Sequence, residues 1–137
     1  METKKLIEYL KRQKHVRLAY IFGSVAKGTE SKLSDIDIAI FLDERMSKPK
    51  RFEQRLKLIS EISSVLKSND IDLIVMNDAP INLNQEIIKN GRVLIARREE
   101  ERVKLESEIL SKYLDRVYYE RRGLNDFLEK ILRRGKL

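Results

Sequence analysis

The sequence contains no cysteine and only one histidine, His15. Without cysteine there are no disulfides and no thiolate metal sites, which fits a cytoplasmic protein. One histidine leaves no zinc cluster to assemble, and His15 reads as an ordinary turn residue. No stretch approaches the ~20 apolar residues that span a bilayer, so no membrane partner is expected. Residues 1–10 interrupt their apolar pattern with acids and lack the apolar centre of a signal peptide. Internal repeats and low-complexity tracts are absent as well. What is present is 42% hydrophobic and 37% charged residues in a chain of 137. That balance describes one globular domain with a sizeable core and a heavily charged surface. The net charge of +7 suits an RNA, an acidic protein or a polyphosphate equally well.

Hydrophobic spacing divides the chain into alternating helices and strands. Residues 3–14 place Leu6, Ile7 and Leu10 at helical intervals. Residues 18–22 and 36–42 are short apolar runs of strand length, the second so apolar that helices should cover it. The charged segment 43–50, with Pro49, reads as a loop. Residues 51–67 repeat Phe52, Leu56, Ile59, Ile62, Val65 and Leu66 and predict a second helix. A third strand follows over 71–76. Pro80 is placed to start a helix with an inward stripe of Leu83, Ile87 and Ile88, and Asn90-Gly91 is placed to stop it. A last short strand covers 93–96. Such alternation predicts an α/β layer fold. From residue 98 the character changes. Residues 98–133 hold no proline and one glycine, Gly123, so one long helix or two broken at Gly123 is expected. Leu110, Leu114, Val117, Leu124, Phe127, Leu128 and Ile131 form an apolar stripe with Arg121 in its midst. Either part of that stripe docks on another chain, or Gly123 folds the helix back onto its own domain.

The chemistry concentrates in residues 20–42. An apolar run ends at Gly23-Ser24, and ten residues later Asp35-Ile36-Asp37 opens the next one. Side chains alternate along a strand, so Asp35 and Asp37 share one face while Ile36, Ile38, Ile40 and Leu42 share the other. Adjacent carboxylates repel unless a cation lies between them. Hard cations such as Mg²⁺ are held by one or two carboxylates together with substrate phosphates. Glycine lets the backbone approach a ligand closely, and a helix starting after Gly23-Ser24 would aim N–H groups at an anion. A brief helix over 24–29, ended by Gly28, is expected there, with a polar loop to Ser34. Together these features indicate metal-dependent chemistry on a nucleoside triphosphate.

Gly23-Ser24, then Asp35-x-Asp37 at this spacing, resembles the signature of the polymerase-β-type nucleotidyltransferase superfamily. The small size resembles its minimal nucleotidyltransferase (MNT) branch, the antitoxin partners of HEPN ribonuclease toxins. The likeness covers most of residues 1–97, a nucleotidyltransferase core, with 98–137 as a C-terminal helical extension of the same domain. It implies a small mixed β-sheet backed by helices, and a third carboxylate from a neighbouring strand. Asp72 lies within its apolar run, where an unpaired charge would be costly and where the family pattern also places an acid, and is preferred over Asp70 at the mouth. Asp35, Asp37 and Asp72 are then expected to be the catalytic metal ligands for two Mg²⁺ ions. Gly23, Ser24 and Lys27 are expected to cradle the phosphates of ATP, with simple solvent exposure the alternative for Lys27.

Larger enzymes of this superfamily carry a second domain for the acceptor, whereas about 40 residues follow the core here. The acceptor must come from outside the chain or from an oligomer interface. MNT antitoxins transfer AMP from ATP to a tyrosine of the HEPN toxin, and the resemblance implies that activity here, an Mg-dependent protein adenylyltransferase neutralising an RNase. The alternatives are a masking antitoxin without catalysis and a small-molecule, aminoglycoside-type nucleotidyltransferase. Direct nucleic-acid binding is not expected, because acids are interleaved through residues 99–129 and no aromatic stacking platform is evident.

Overall fold

The computed structural model describes residues 3–23 and 36–135. In chain order these form α1 (Thr3–Lys11), β1 (Val16–Phe22), β2 (Ile36–Leu42), α2 (Lys48–Leu66), β3 (Ile71–Val75), a 3-10 turn (Met76–Asp78), α3 (Ile81–Asn90), β4 (Arg92–Ala96) and α4 (Glu99–Arg134). The expected helix over 24–29 lies outside the described residues.

The strands form one mixed sheet in the order β3-β2-β1-β4. β1 runs antiparallel to both β2 and β4, and β2 runs parallel to β3. Parallel neighbours need a crossover, and α2 supplies it. One face of the sheet packs Ile38, Ile40, Leu42, Leu73 and Val75 against Leu6 and Leu10 of α1 and Leu58 and Ile62 of α2. The opposite face packs Leu18, Tyr20 and Ala39 against Ile87 of α3 and Ile109 of α4. With a helix layer on each side, β2 buries Ile38, Ala39 and Ile40 completely, which explains its unbroken apolar run.

Several boundaries differ from expectation for local reasons. α1 ends at Lys11, and residues 12–15 turn the chain into β1. The Arg97 guanidinium donates to the carbonyls of Leu10, Lys11, Gln13 and Val16 at 2.8–3.0 Å. It thereby satisfies the helix-end acceptors that a longer helix would otherwise have used. α2 begins three residues before the expected start. The Ser47 hydroxyl accepts from the Lys50 N–H and Pro49 occupies the first turn, where its missing N–H has no consequence. Lys67, at φ +51°, then closes the helix in the left-handed conformation. Residue 76 leaves the third strand for the 3-10 turn, where Asn77 pairs with both backbone groups of Leu42 at 2.9 and 3.0 Å.

Within α2, Leu58 and Ile62 are buried, whereas Phe52 and Leu56 are 59% and 51% exposed. The apolar spacing identified the helix, and only part of its apolar set faces inward. At 100° per residue, Phe52 lies roughly 100° and Leu56 roughly 140° from the direction shared by Leu58 and Ile62.

α4 is one continuous helix through Gly123, roughly 54 Å long at 1.5 Å per residue. A single glycine weakens a helix by about 1 kcal/mol without ending it, so the fold-back alternative does not occur. The first turns of α4 are held down. Arg17 makes two hydrogen bonds to Glu101 at 3.0 and 3.1 Å, and Leu105 and Ile109 join the second core cluster. Beyond Ile109 no residue of α4 is buried, and Leu110, Leu114, Leu124, Phe127, Leu128 and Ile131 are all exposed. Among the described residues no helix is long and apolar enough to cross a membrane.

Candidate active site

Three strands bring the candidate residues to one end of the sheet. β1 finishes at Phe22, which pairs with Asp37 of β2, and Asp37 in turn pairs with Asp72 of β3. Ala39 and Phe41 belong to the cluster beneath α3 and α4, whereas Ile36, Ile38, Ile40 and Leu42 belong to the one beneath α1 and α2. By strand alternation Asp37 therefore lies on the α3/α4 side. Asp72 shares that side through the parallel register with Asp37. Two carboxylates on adjacent strands, at matched positions and on one face, form a donor set suited to a hard divalent cation.

Gly23 completes this end. Its φ of +74° lies in the left-handed region, and a Cβ built there would stand 2.3 Å from Asp37 Oδ2. Both observations favour glycine. The conformation disfavours any side chain, and the Asp37 carboxylate occupies the space that the smallest one would need. With glycine in place, β1 ends directly against that carboxylate.

Ser24, Lys27 and Asp35 lie outside the described residues. Among the described residues no three of His, Cys, Asp and Glu converge as a metal cluster. Asp70 lies just before β3. Its carbonyl accepts the Ile36 N–H at 2.8 Å and opens the β2–β3 ladder, while Asp72 stands level with Asp37. Asp72 is exposed at the sheet edge. The cost of burying an unpaired charge, which favoured it in the sequence, therefore does not apply, and the register with Asp37 is what singles it out.

A cleft of about 400 Å³ adjoins Asp72 along the outer edge of β3. Phe52 and Arg55 of α2 and Leu83 of α3 line it together with Ile74. Arg55 donates to the Leu73 carbonyl at 2.9 Å and blunts the strand edge. Arg51 holds Asp78 through bonds of 2.9 and 2.6 Å, and the bound guanidinium keeps the Asp78 carboxyl below its ordinary pKa. The sequence showed Phe52 only as one of the apolar residues whose spacing predicts α2, and gave no sign of the cleft. A helical wheel centred on Leu58 and Ile62 was the signal that would have set Phe52 apart.

The family model described as polymerase beta, nucleotidyltransferase matches residues 4–100. The chain belongs to this nucleotidyltransferase family. It is similar to the protein adenylyltransferase MntA of Shewanella oneidensis, with 34% identity over 79 residues, covering 58% of this chain and 53% of MntA. The chain thus spans about half the length of that curated relative. Among solved structures, a toxin–antitoxin complex with AMP-PNP is 27% identical with a TM-score of 0.72, over 93% of this chain and 98% of the other. A structure of tri-AMPylated Shewanella oneidensis HEPN toxin with MNT antitoxin shares the fold at 24% identity and a TM-score of 0.65, over 92% and 95% of the two chains. The resemblance drawn from Gly23, Ser24, Asp35 and Asp37 is borne out at this level. The chain has the nucleotidyltransferase domain and the mixed sheet with a long C-terminal helix found in MntA toxin–antitoxin structures.

Proposed function

We propose that this chain is an antitoxin that transfers AMP from ATP to a tyrosine of a partner HEPN-type RNase and so silences it. The observation that carries this reading is the Gly23–Asp37–Asp72 end of the sheet, where a glycine turn abuts one carboxylate that stands in register with another. The adenylyltransferase similar to this chain and the AMP-PNP complex that shares its fold support AMP as the group moved.

Asp37 and Asp72, with Asp35 supplied from outside the described residues, would hold two Mg²⁺ ions. Bound there, the ions would neutralise phosphate charge and lower the pKa of the acceptor hydroxyl. Asp72 would also take the proton of that hydroxyl. The Gly23 backbone, with Ser24 and Lys27, would cradle the leaving phosphates. Residues 1–97 form the catalytic core, while 98–137 extend from it to dock the partner through the exposed stripe of α4.

Radiolabel distinguishes the reaction directly. Label on the α-phosphate of ATP should appear on the purified partner, and label on the γ-phosphate should not. Transfer from the γ-position, or from neither, contradicts the proposal. The exposed α4 stripe also favours a second reading, inhibition by masking alone. In that case an Asp35→Ala/Asp37→Ala double variant would still neutralise the toxin in cells, whereas the adenylyltransferase reading requires it to fail.

A further inference from the structure

We propose that the cleft between α2 and α3, beside Asp72, is the acceptor subsite and takes an aromatic hydroxyl side chain of the partner protein against Phe52. The inference rests on the nucleotidyl-transfer reading and adds the location and chemistry of its second substrate.

Three observations converge on this cleft. The first is the order of groups across the sheet. Gly23 follows β1, Asp37 lies on β2 and Asp72 lies on β3. Nucleotidyl transfer proceeds in line, with the attacking and leaving oxygens on opposite sides of the α-phosphorus. If the leaving phosphates lie on the Gly23 side, the nucleophile approaches from the Asp72 side, where the cleft opens. The second is its lining. Phe52, Ile74 and Leu83 give it apolar lining, and Asp72 lines it as well, with Arg51 and Arg55 at its charged side. A volume of about 400 Å³ accommodates a flat ring together with adjoining main chain. The third is Phe52 itself, an aromatic ring 59% exposed on a helix whose core side is filled by Leu58 and Ile62. Because Arg55 already occupies the Leu73 carbonyl, the edge of β3 is closed to an added strand there. The partner therefore enters by a side chain.

In the reaction, the phenol oxygen bonds to the α-phosphorus of ATP and its proton passes to the Asp72 carboxylate. The bond from the α-phosphorus to the bridging oxygen breaks, and pyrophosphate leaves with that electron pair. Phe52 touches the acceptor ring and sets its approach, and it takes no part in bond making.

The test uses the full chain, a purified partner and ATP, with Phe52→Ala and Phe52→Tyr. Truncating Phe52 removes the apolar contact that would hold the acceptor ring. Phe52→Ala should therefore raise the KM for the partner about tenfold or more, leave AMP-PNP affinity and melting temperature unchanged, and be rescued by Phe52→Tyr. An unchanged partner KM overturns the proposal. Weakened AMP-PNP binding with an unchanged partner KM overturns it too, and would place the nucleotide base in the cleft. If the wild-type chain transfers no AMP, the transfer reading falls and this subsite falls with it. That result is recognised because every variant and the wild type fail alike.

Discussion

At the carboxylate end of the sheet the geometry is decided by single atoms, whereas along the outer half of α4 it is decided by area. A methyl group at Gly23 would collide with Asp37 Oδ2 at 2.3 Å, while a Cβ at Gly123 would meet nothing within 4 Å. Asp37 has a fixed strand register with Asp72. Leu114, Leu124 and Leu128 touch no core and are about half exposed. On the proposed function, transfer belongs to the first region and the broad docking surface to the second, and the two are joined through the Arg17–Glu101 pair and the Ile109 contact. The difference implies that the two can be damaged independently.

The largest expected effect is at Asp37. Asp37→Asn preserves shape and removes charge, and should lower AMP transfer about a thousandfold or more, the scale for losing a preorganised electrostatic contact. Partner binding, measured by titration, should survive. Loss of both together would dissolve the separation. Gly23→Ala comes next. Displacing a reacting group by about 1 Å can cost about a hundredfold in rate, and that loss should appear in kcat, accompanied by a lower melting temperature from the strained φ.

The comparison is then tested from the other side. A Leu124→Glu/Leu128→Glu variant should weaken partner affinity by about tenfold or more while leaving thermal stability nearly unchanged, because neither side chain is buried. A large fall in melting temperature would mean that the outer half of α4 is structural after all. The smallest effect belongs to Gly123→Ala, which should raise helix stability by no more than about 1 kcal/mol, read by thermal denaturation, with transfer and binding intact.

The carboxylate end was the more legible of the two in the sequence. Glycine followed at fixed spacing by alternating acids is a pattern whose residue types are each chemically demanding, and the strand period alone assigned Ile36, Ile38, Ile40 and Leu42 to one face. β2 was read to the residue because both of its sides are covered. Helix sides were read less well. The period in α2 included the exposed Phe52 and Leu56, because apolar spacing reports a helix without reporting which residues meet the sheet. It overlooked Leu58, which is fully buried. Arg97 gave no signal at all, since four carbonyls from distant backbone meet its guanidinium only after folding. The continuity of α4 was undecided because one glycine shifts helix stability by too little to settle a break. The preference for Asp72 over Asp70 agrees with the strand register, although the burial argument behind it does not hold. Its catalytic role, like those of Asp35, Asp37, Gly23, Ser24 and Lys27, stands as part of the proposed function.

The most direct test of the central claim is the intact mass of the HEPN-type partner after incubation with ATP, Mg²⁺ and either the wild-type chain or Asp37→Asn. The partner should gain the mass of one or more AMP residues with the wild type and none with the variant, although both bind it. A partner held tightly by the wild type yet unchanged in mass would contradict the account and leave masking as the function.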